Sequence, residues 1–302
     1  MSSSGVRSLF NDVDHYSDCR RSFLPRTKWY TERMPRWCRD VFPTVVKDIT
    51  LGTGKAKNES HRALRVLGIG SGSGEVDQMM LHRLQSMFSA IECTVVEPSS
   101  RAIRSYRDSI EEGATRLKPT SFDWHEKTFA EFVNNLKCCP DQQYSRFHFI
   151  QVVETIYYLS YNGAIHEMYN LLAPGGILLI IVTAEDCGYH NLWKQHKDIL
   201  QDDRMNFVTS ADVKEELSEE HPFTSIRDES RVDISEVFVD DSEVGDHILD
   251  FLTHICHFRR SVDEQIREDL INLLKSEKCS DKVDGRVMFN NSFDAIIVYK
   301  HE

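Results

Sequence analysis

No C-x-x-C pair and no zinc-type ligand spacing occurs in this chain, although it has 8 cysteines. Cys19, Cys38, Cys93, Cys138, Cys139, Cys187, Cys256 and Cys279 are scattered along it. Some sit inside apolar patterns, where a thiol acts as a small hydrophobe. The expectation is a reduced, cytoplasmic protein without structural metal. Long apolar runs are missing too. The longest, 175–184, is too short to cross a bilayer and reads as a buried strand. The opening stretch, MSSSGVRSLFNDVDHY, lacks the apolar core of a secretory signal. Positive charge is in deficit: 36 Lys and Arg face 48 Asp and Glu, a net −12. That excludes nucleic acid and anionic membrane as expected partners, because phosphate surfaces need clustered cations. It tolerates a cationic small molecule. There is no Ser-His-Asp set, no phosphate-binding lysine loop, no internal repeat and no low-complexity tract. Hydrophobic residues, at 40%, suffice for a sizeable core.

The chain is organised around 64–98, LRVLGIGSGSGEVDQMMLHRLQSMFSAIECTVVEP. An apolar run breaks into Gly70-Ser71-Gly72-Ser73-Gly74. Glu75 opens a helical pattern with Val76, Met79, Met80, Leu84 and Met87 on one side. A second apolar run, 93–96, ends in Glu97. Strand, glycine turn, helix, strand, acid is the first unit of a doubly wound nucleotide-binding sheet. Glycine lets the backbone turn sharply and approach a ligand closely. Glu97 stands where a carboxylate accepts both ribose hydroxyls of an adenosyl group. Dinucleotide sites favour G-x-G-x-x-G with a pyrophosphate on the helix N-terminus. Here the order is G-x-G-x-G followed at once by Glu75. An anion there opposes a pyrophosphate and suits a cationic ligand, which points to S-adenosyl-L-methionine. A nicotinamide dehydrogenase is the weaker rival.

Residues 1–50 read as a helical leader, rich in aromatic and basic residues and punctuated by Pro35 and Pro43. It suits a lid over a substrate or a helix on the sheet edge, and the pattern does not separate the two. Residues 51–62 read as a polar loop. Residues 63–184 alternate strand and helix, which predicts a parallel sheet covered on both faces. In this span helices are expected at 100–111, 129–136 (capped by Thr128) and 164–172. Strands are expected at 122–125, 147–153 and 177–183. The expected fold is α/β, a doubly wound, mostly parallel seven-stranded sheet in a single domain. Residues 185–280 read as an added helix-rich, acidic substrate-binding region. Within 285–300, a late strand pair (286–288 and 295–299) is expected to return to the sheet.

Ligands of open parallel sheets bind beyond the carboxyl ends of the strands. The informative segment there is Glu154-Thr155-Ile156-Tyr157-Tyr158. A carboxylate can hold an amine or take its proton, and tyrosine faces stabilise a cation. The plainer reading is a helix start, with Glu favouring the dipole and the tyrosines packed on the sheet.

Further stretches carry a specific likeness. They are Arg7-Ser8-Leu9-Phe10-Asn11-Asp12, Val95-Val96-Glu97-Pro98-Ser99, Trp124-His125, Tyr157-Tyr158, Leu192-Trp193-Lys194 and Gln201-Asp202-Asp203. Later come Thr209-Ser210, Asp233-Ile234-Ser235, Phe251-Leu252-Thr253 and Phe289-Asn290-Asn291. With these the chain resembles histamine N-methyltransferases over nearly its full length. The resemblance implies a class I methyltransferase fold, a cytoplasmic monomer and methyl transfer to an imidazole nitrogen of a small amine. It implies cofactor contacts at Gly70, Gly72, Gly74, Glu97, Ala102, Thr128, Phe129 and Val153. Ala102 stands where the family has a glutamine. It implies acceptor contacts at Tyr16, Arg20, Trp29, Tyr157, Tyr158, Tyr189, Trp193 and Phe251, with Glu154 and Asn291 orienting the reacting nitrogen. Three departures bear on the acceptor. Glu154 replaces a family glutamine, Lys28, Trp29 or Tyr30 replaces the glutamate that holds the histamine amine, and Cys19 or Arg20 replaces an aromatic residue. Either Glu154 takes over the ammonium, or Arg20 or Lys28 pairs with a carboxylate on a larger imidazole such as carnosine. A non-catalytic relative that keeps the cofactor fold is the remaining alternative.

Overall fold

The structure, a computed structural model, describes residues 6–49, 63–113, 120–138, 146–159, 163–200, 204–217 and 221–301. The expected loop at 51–62, Cys139 and Gln201-Asp202-Asp203 lie outside the described residues.

Between residues 63 and 184 strands and helices alternate as the apolar pattern predicts. The leader holds α1 (Val13–Thr27), a π-helical turn over Trp29–Arg33, α2 (Met34–Asp40) and α3 (Phe42–Val46). The Asp12 carboxylate caps α1 by accepting from the His15 N–H at 3.1 Å, and Lys28 ends it at φ 53°. Pro35 and Pro43 fall in the first turns of α2 and α3, where a missing N–H costs nothing. The alternating part follows: β1 (Leu64–Ile69), α4 (Glu75–Leu84), β2 (Ile91–Val96), α5 (Ser100–Glu112), β3 (Thr120–His125), α6 (Phe129–Cys138), β4 (Phe147–Val153), α7 (Ala164–Leu171) and β5 (Leu172–Thr183). Then come α8 (Gly188–Leu200), α9 (Ser210–Leu217), β6 (Phe223–Asp228), β7 (Arg231–Asp233), α10 (Glu243–Thr253), α11 (Phe258–Ser261), α12 (Glu264–Lys275), β8 (Ser280–Val283), β9 (Arg286–Asn290) and β10 (Phe293–Tyr299).

The chain forms two compact units. One, the core unit, comprises Tyr30–Val182, Asp212–Ile226 and Ala295–Glu302. The other comprises Met1–Trp29, Thr183–Ala211 and Arg227–Asp294.

The large sheet has seven strands in the order β3-β2-β1-β4-β5-β10-β6. Its first five are parallel, with Leu64 opposite Ile91, Val66 opposite Phe149 and Val153 opposite Ile181. β4 and β5 are buried along almost their whole length, as near-continuous apolar runs require in a sheet covered on both faces. β10 runs antiparallel to β5: Gly175 N–H donates to Lys300 O, and Ala184 N–H donates to Ser292 O. The sheet is therefore mixed but mostly parallel. Strand order reverses at β1 and β4, so the crevice for a ligand lies at their carboxyl ends.

One expectation is corrected. Only β10 of the late strand pair enters the large sheet. β9 pairs antiparallel with β7 and β8 in a three-stranded sheet of the second unit, where Phe289 stands opposite both Val232 and Ser280. The cause is local. The Asn290 side-chain oxygen accepts from Ser292 N–H at 3.2 Å and from its hydroxyl at 2.7 Å. This turn redirects the chain before β10 begins. Among the described residues, no helix is long and apolar enough to cross a membrane.

Candidate active site

Within the core unit, the end of β1 carries Gly70, Gly72 and Gly74 at φ 63°, 57° and 80°. A Cβ at Gly70 would lie 2.0 Å from the Thr155 methyl, and one at Gly74 would lie 2.2 Å from the Tyr106 ring. Gly72 faces open space. The turn is thus closed below by side chains and open above, which is the shape of a cradle. Glu97 stands beside it. Its carboxylate accepts from Gly72 N–H and from Ser99 N–H, both at 2.9 Å, and is almost fully buried. Two backbone donors orient this acid toward the glycine turn before any ligand arrives.

Further support comes from β4. The Thr155 hydroxyl donates to Gly70 O or Val153 O, each 3.0 Å away, tying the tips of β1 and β4 together. Beneath the turn, the buried Asp77 faces Ser71 and Gln151. Burial pushes its carboxyl up to about 7 against those two partners. Thr128 caps α6 reciprocally with Glu131: its N–H and hydroxyl both donate to Glu131 Oε2 at 2.8 Å, and Glu131 N–H returns a bond to the hydroxyl at 3.2 Å. Phe129, next along, is buried, and Val153 is partly buried. Ala102 donates its N–H to the Ser99 hydroxyl at 3.2 Å, and its side chain is a methyl that offers no polar contact.

Glu154 follows β4 at φ 51°, a backbone conformation uncommon for a long side chain. It is not a helix start: the 3-10 turn Ile156–Tyr158 begins two residues later. The Tyr157 hydroxyl donates to Glu154 Oε2 at 3.0 Å. Burial pushes the Glu154 carboxyl up to about 7, opposed by that hydroxyl and by the positive charge of Arg33. Tyr157 is buried, whereas Tyr158 is 48% exposed. Tyr158, Thr128 and Phe129 line a groove of about 300 Å³ beside α6 and α7.

The second unit holds the remaining expected residues in two aromatic groups. Tyr16 stacks near Phe251 at 6.2 Å, and Phe23 stacks on the same Phe251 at 4.9 Å. Burial raises the Tyr16 phenol above its usual value, and the charge of Arg20 opposes this. Tyr189 packs against Trp193 at 5.3 Å and edge-on to Phe289 at 5.1 Å, and Trp193 stacks on Phe207 at 4.6 Å. Trp29 is buried edge-on to Phe293 at 5.2 Å, while Arg20 and Lys28 are exposed. Asn291 is half-buried, its N–H donating to Ser230 O at 3.0 Å.

A model of the methyltransferase domain matches residues 30–224. Histamine N-methyltransferase from Xenopus tropicalis is 35% identical over 300 residues, covering 98% of each chain. The chain belongs to the histamine N-methyltransferase family. Histamine N-methyltransferase from Bos taurus is 28% identical over 302 residues, covering 98% of this chain and 99% of its own. The solved plantazolicin methyltransferase BpumL in complex with SAH is 11% identical, with a TM-score of 0.45, covering 97% of this chain and 93% of that one.

The cofactor of this methyltransferase class is S-adenosylmethionine, and the core unit fits it. The glycine turn leaves room for a backbone-hugging ligand, and Glu97 is buried, aimed and acidic where ribose hydroxyls need an acceptor. Three supporting residues were not singled out by sequence reasoning: Arg33, Tyr106 and Asp77. Arg33 was visible only as one of many leader cations. Tyr106 and Asp77 were visible only as helix positions, and nothing local marked them as the floor of the glycine turn.

Proposed function

We propose that this family member transfers a methyl group to an imidazole nitrogen of histamine or a small histamine-like amine, with Glu154 holding the acceptor's ammonium. The observation that carries the reading is Glu154 itself. It is a carboxylate placed beyond β4 at positive φ and bonded by Tyr157, at a position where the resemblance implies a glutamine. A full-length relationship to histamine N-methyltransferases supports the substrate class.

S-adenosylmethionine supplies an electrophilic methyl group on a sulfonium. Glu97 and the glycine turn would hold its adenosyl part, and the chain's remaining task is placement of the acceptor. In-line positioning supplies much of the acceleration in such transfers. The attacking imidazole nitrogen must be unprotonated, and Asn291 is assigned to orient the ring. Tyr16, Tyr157, Tyr158, Tyr189, Trp193 and Phe251 are assigned as the aromatic wall, whose faces favour cationic groups. Reduced, buried thiols support a cytoplasmic location, and the family resemblance supports a monomer.

The raised carboxyl sets the sign of the pH dependence. Glu154 is neutral below about 7 and charged above it. The acceptor's amine, like a lysine, stays protonated throughout. Histamine therefore binds more tightly as pH rises through 7. In a steady-state methylation assay, Glu154→Gln should raise KM for histamine about tenfold or more and flatten its pH dependence, since a hydrogen bond to a charged group is worth ~1.5–3 kcal/mol. An unchanged KM sinks the ammonium role. Preference for carnosine that disappears in Arg20→Ala would transfer the reading to a carboxylate-bearing imidazole. Binding of S-adenosylhomocysteine with no turnover on any imidazole would make the protein a non-catalytic relative.

A further inference from the structure

The second unit contains a cleft of about 350 Å³ that the methyl-transfer reading does not use. His15 from α1, Asp250 from α10 and His257, the residue before α11, meet there. One nitrogen of each histidine and one oxygen of Asp250 lie within 4.8 Å of one another. His15 Nε2 is 2.7 Å from Asp250 Oδ2, across 235 residues of sequence. The His15 and His257 rings are 4.4 Å apart, and His247, one helical turn before Asp250, is edge-on to His15 at 5.6 Å.

We infer that His15, Asp250 and His257 form a binding site for a single divalent first-row metal ion, with Zn2+ as its representative. Two imidazoles and one carboxylate suit such an ion, and three protein ligands leave further positions open for water or His247. The carboxylate is already oriented. His257 N–H donates to Oδ2 at 2.7 Å and Phe258 N–H donates to Oδ1 at 2.9 Å, the outer bonding that fixed metal ligands have. Asp250 is buried with a side-chain exposure of 2%, so a cation beside it offsets a real desolvation cost. His257 is exposed and held at φ 51°, a strained conformation that persists only where the surroundings impose it. Charge favours a dication as well. The cleft is lined by four carboxylates against two arginines, and one of those arginines, Arg259, is already paired with Asp246 at 2.6 Å. Cys19 Sγ lies 3.6 Å from His15 Nε2 and is outside the cluster of donor atoms that lie within 4.8 Å of one another.

A metal here clips the leader helix α1 to α10 and to the start of α11. Tyr16 follows His15 directly, so the clip also fixes the helix that presents the proposed acceptor wall.

The test is isothermal titration of the full chain with ZnCl2. One Zn2+ per chain is expected, with affinity falling at least tenfold in His15→Gln and in His257→Asn, and with Mg2+ giving no heat. Asn tolerates the left-handed conformation at 257, so that variant keeps the fold even where His15→Gln does not. S-adenosylhomocysteine affinity in the same variants certifies folding. Co2+ in place of Zn2+ should give visible d–d absorption that both variants abolish. No binding of micromolar Zn2+, or a Zn2+ site retained at full affinity in folded His257→Asn and His15→Gln, overturns the assignment.

Discussion

In the core unit, the groups around the glycine turn are mostly backbone. Gly72 N–H and Ser99 N–H hold Glu97, Gly70 O receives Thr155, and three positive-φ glycines define the surface. In the second unit the corresponding groups are side chains. Tyr16 and Phe23 each stack on Phe251, and Trp193 stacks on Phe207 with Tyr189 tilted against it. Backbone donors cannot be substituted one at a time, whereas a stacked ring can change size or polarity in a single step. A fixed cofactor and a variable acceptor call for these two kinds of construction.

The comparison breaks most visibly at Glu97. Glu97→Ala removes the charged acceptor that two backbone donors aim at the glycine turn, so S-adenosylhomocysteine affinity should fall about 100-fold, equivalent to two hydrogen bonds to a charged group at ~1.5 kcal/mol each. Calorimetric affinity within threefold of wild type would mean that the cradle is misplaced. A smaller effect is expected in the other unit. Phe251→Ala takes away the ring shared by Tyr16 and Phe23, and should raise the acceptor KM about tenfold while S-adenosylhomocysteine affinity holds. Equal losses for both ligands would erase the division of labour. The smallest effect concerns Asp77. Its carboxyl is raised to about 7 when folded and is near 4 when unfolded, so the folded state binds more protons across that window. Stability then falls as pH rises from about 4 to 7. Asp77→Asn should flatten this slope and gain on the order of 1 kcal/mol relative to wild type at pH 8, read as Tm against pH.

The core unit was legible because its signals are local. Leu64 to Glu97 carries strand, turn, helix, strand and acid within one short stretch, and each has its own pattern. Thr128 announced its helix through the cap it forms with Glu131. The second unit was less legible because its partners are remote or its strands polar. β8 is a largely exposed edge strand without alternating apolar residues, so no periodicity marked it. The turn at Asn290–Ser292 looks like any polar pair until its side-chain bonds are seen. His15 and Asp250 are adjacent only in space. Glu154 was legible as a residue, while its environment was not, because the charge of Arg33 that acts on it comes from far away in the sequence.

Glu154 also sets this protein's stability against its own activity. A glutamate at φ 51° stores backbone strain, and above about pH 7 it adds a poorly solvated charge. Glycine at that position relieves both. Glu154→Gly should therefore raise Tm while removing the group proposed to read the acceptor, and on that proposal a screen for thermal robustness alone would select against function.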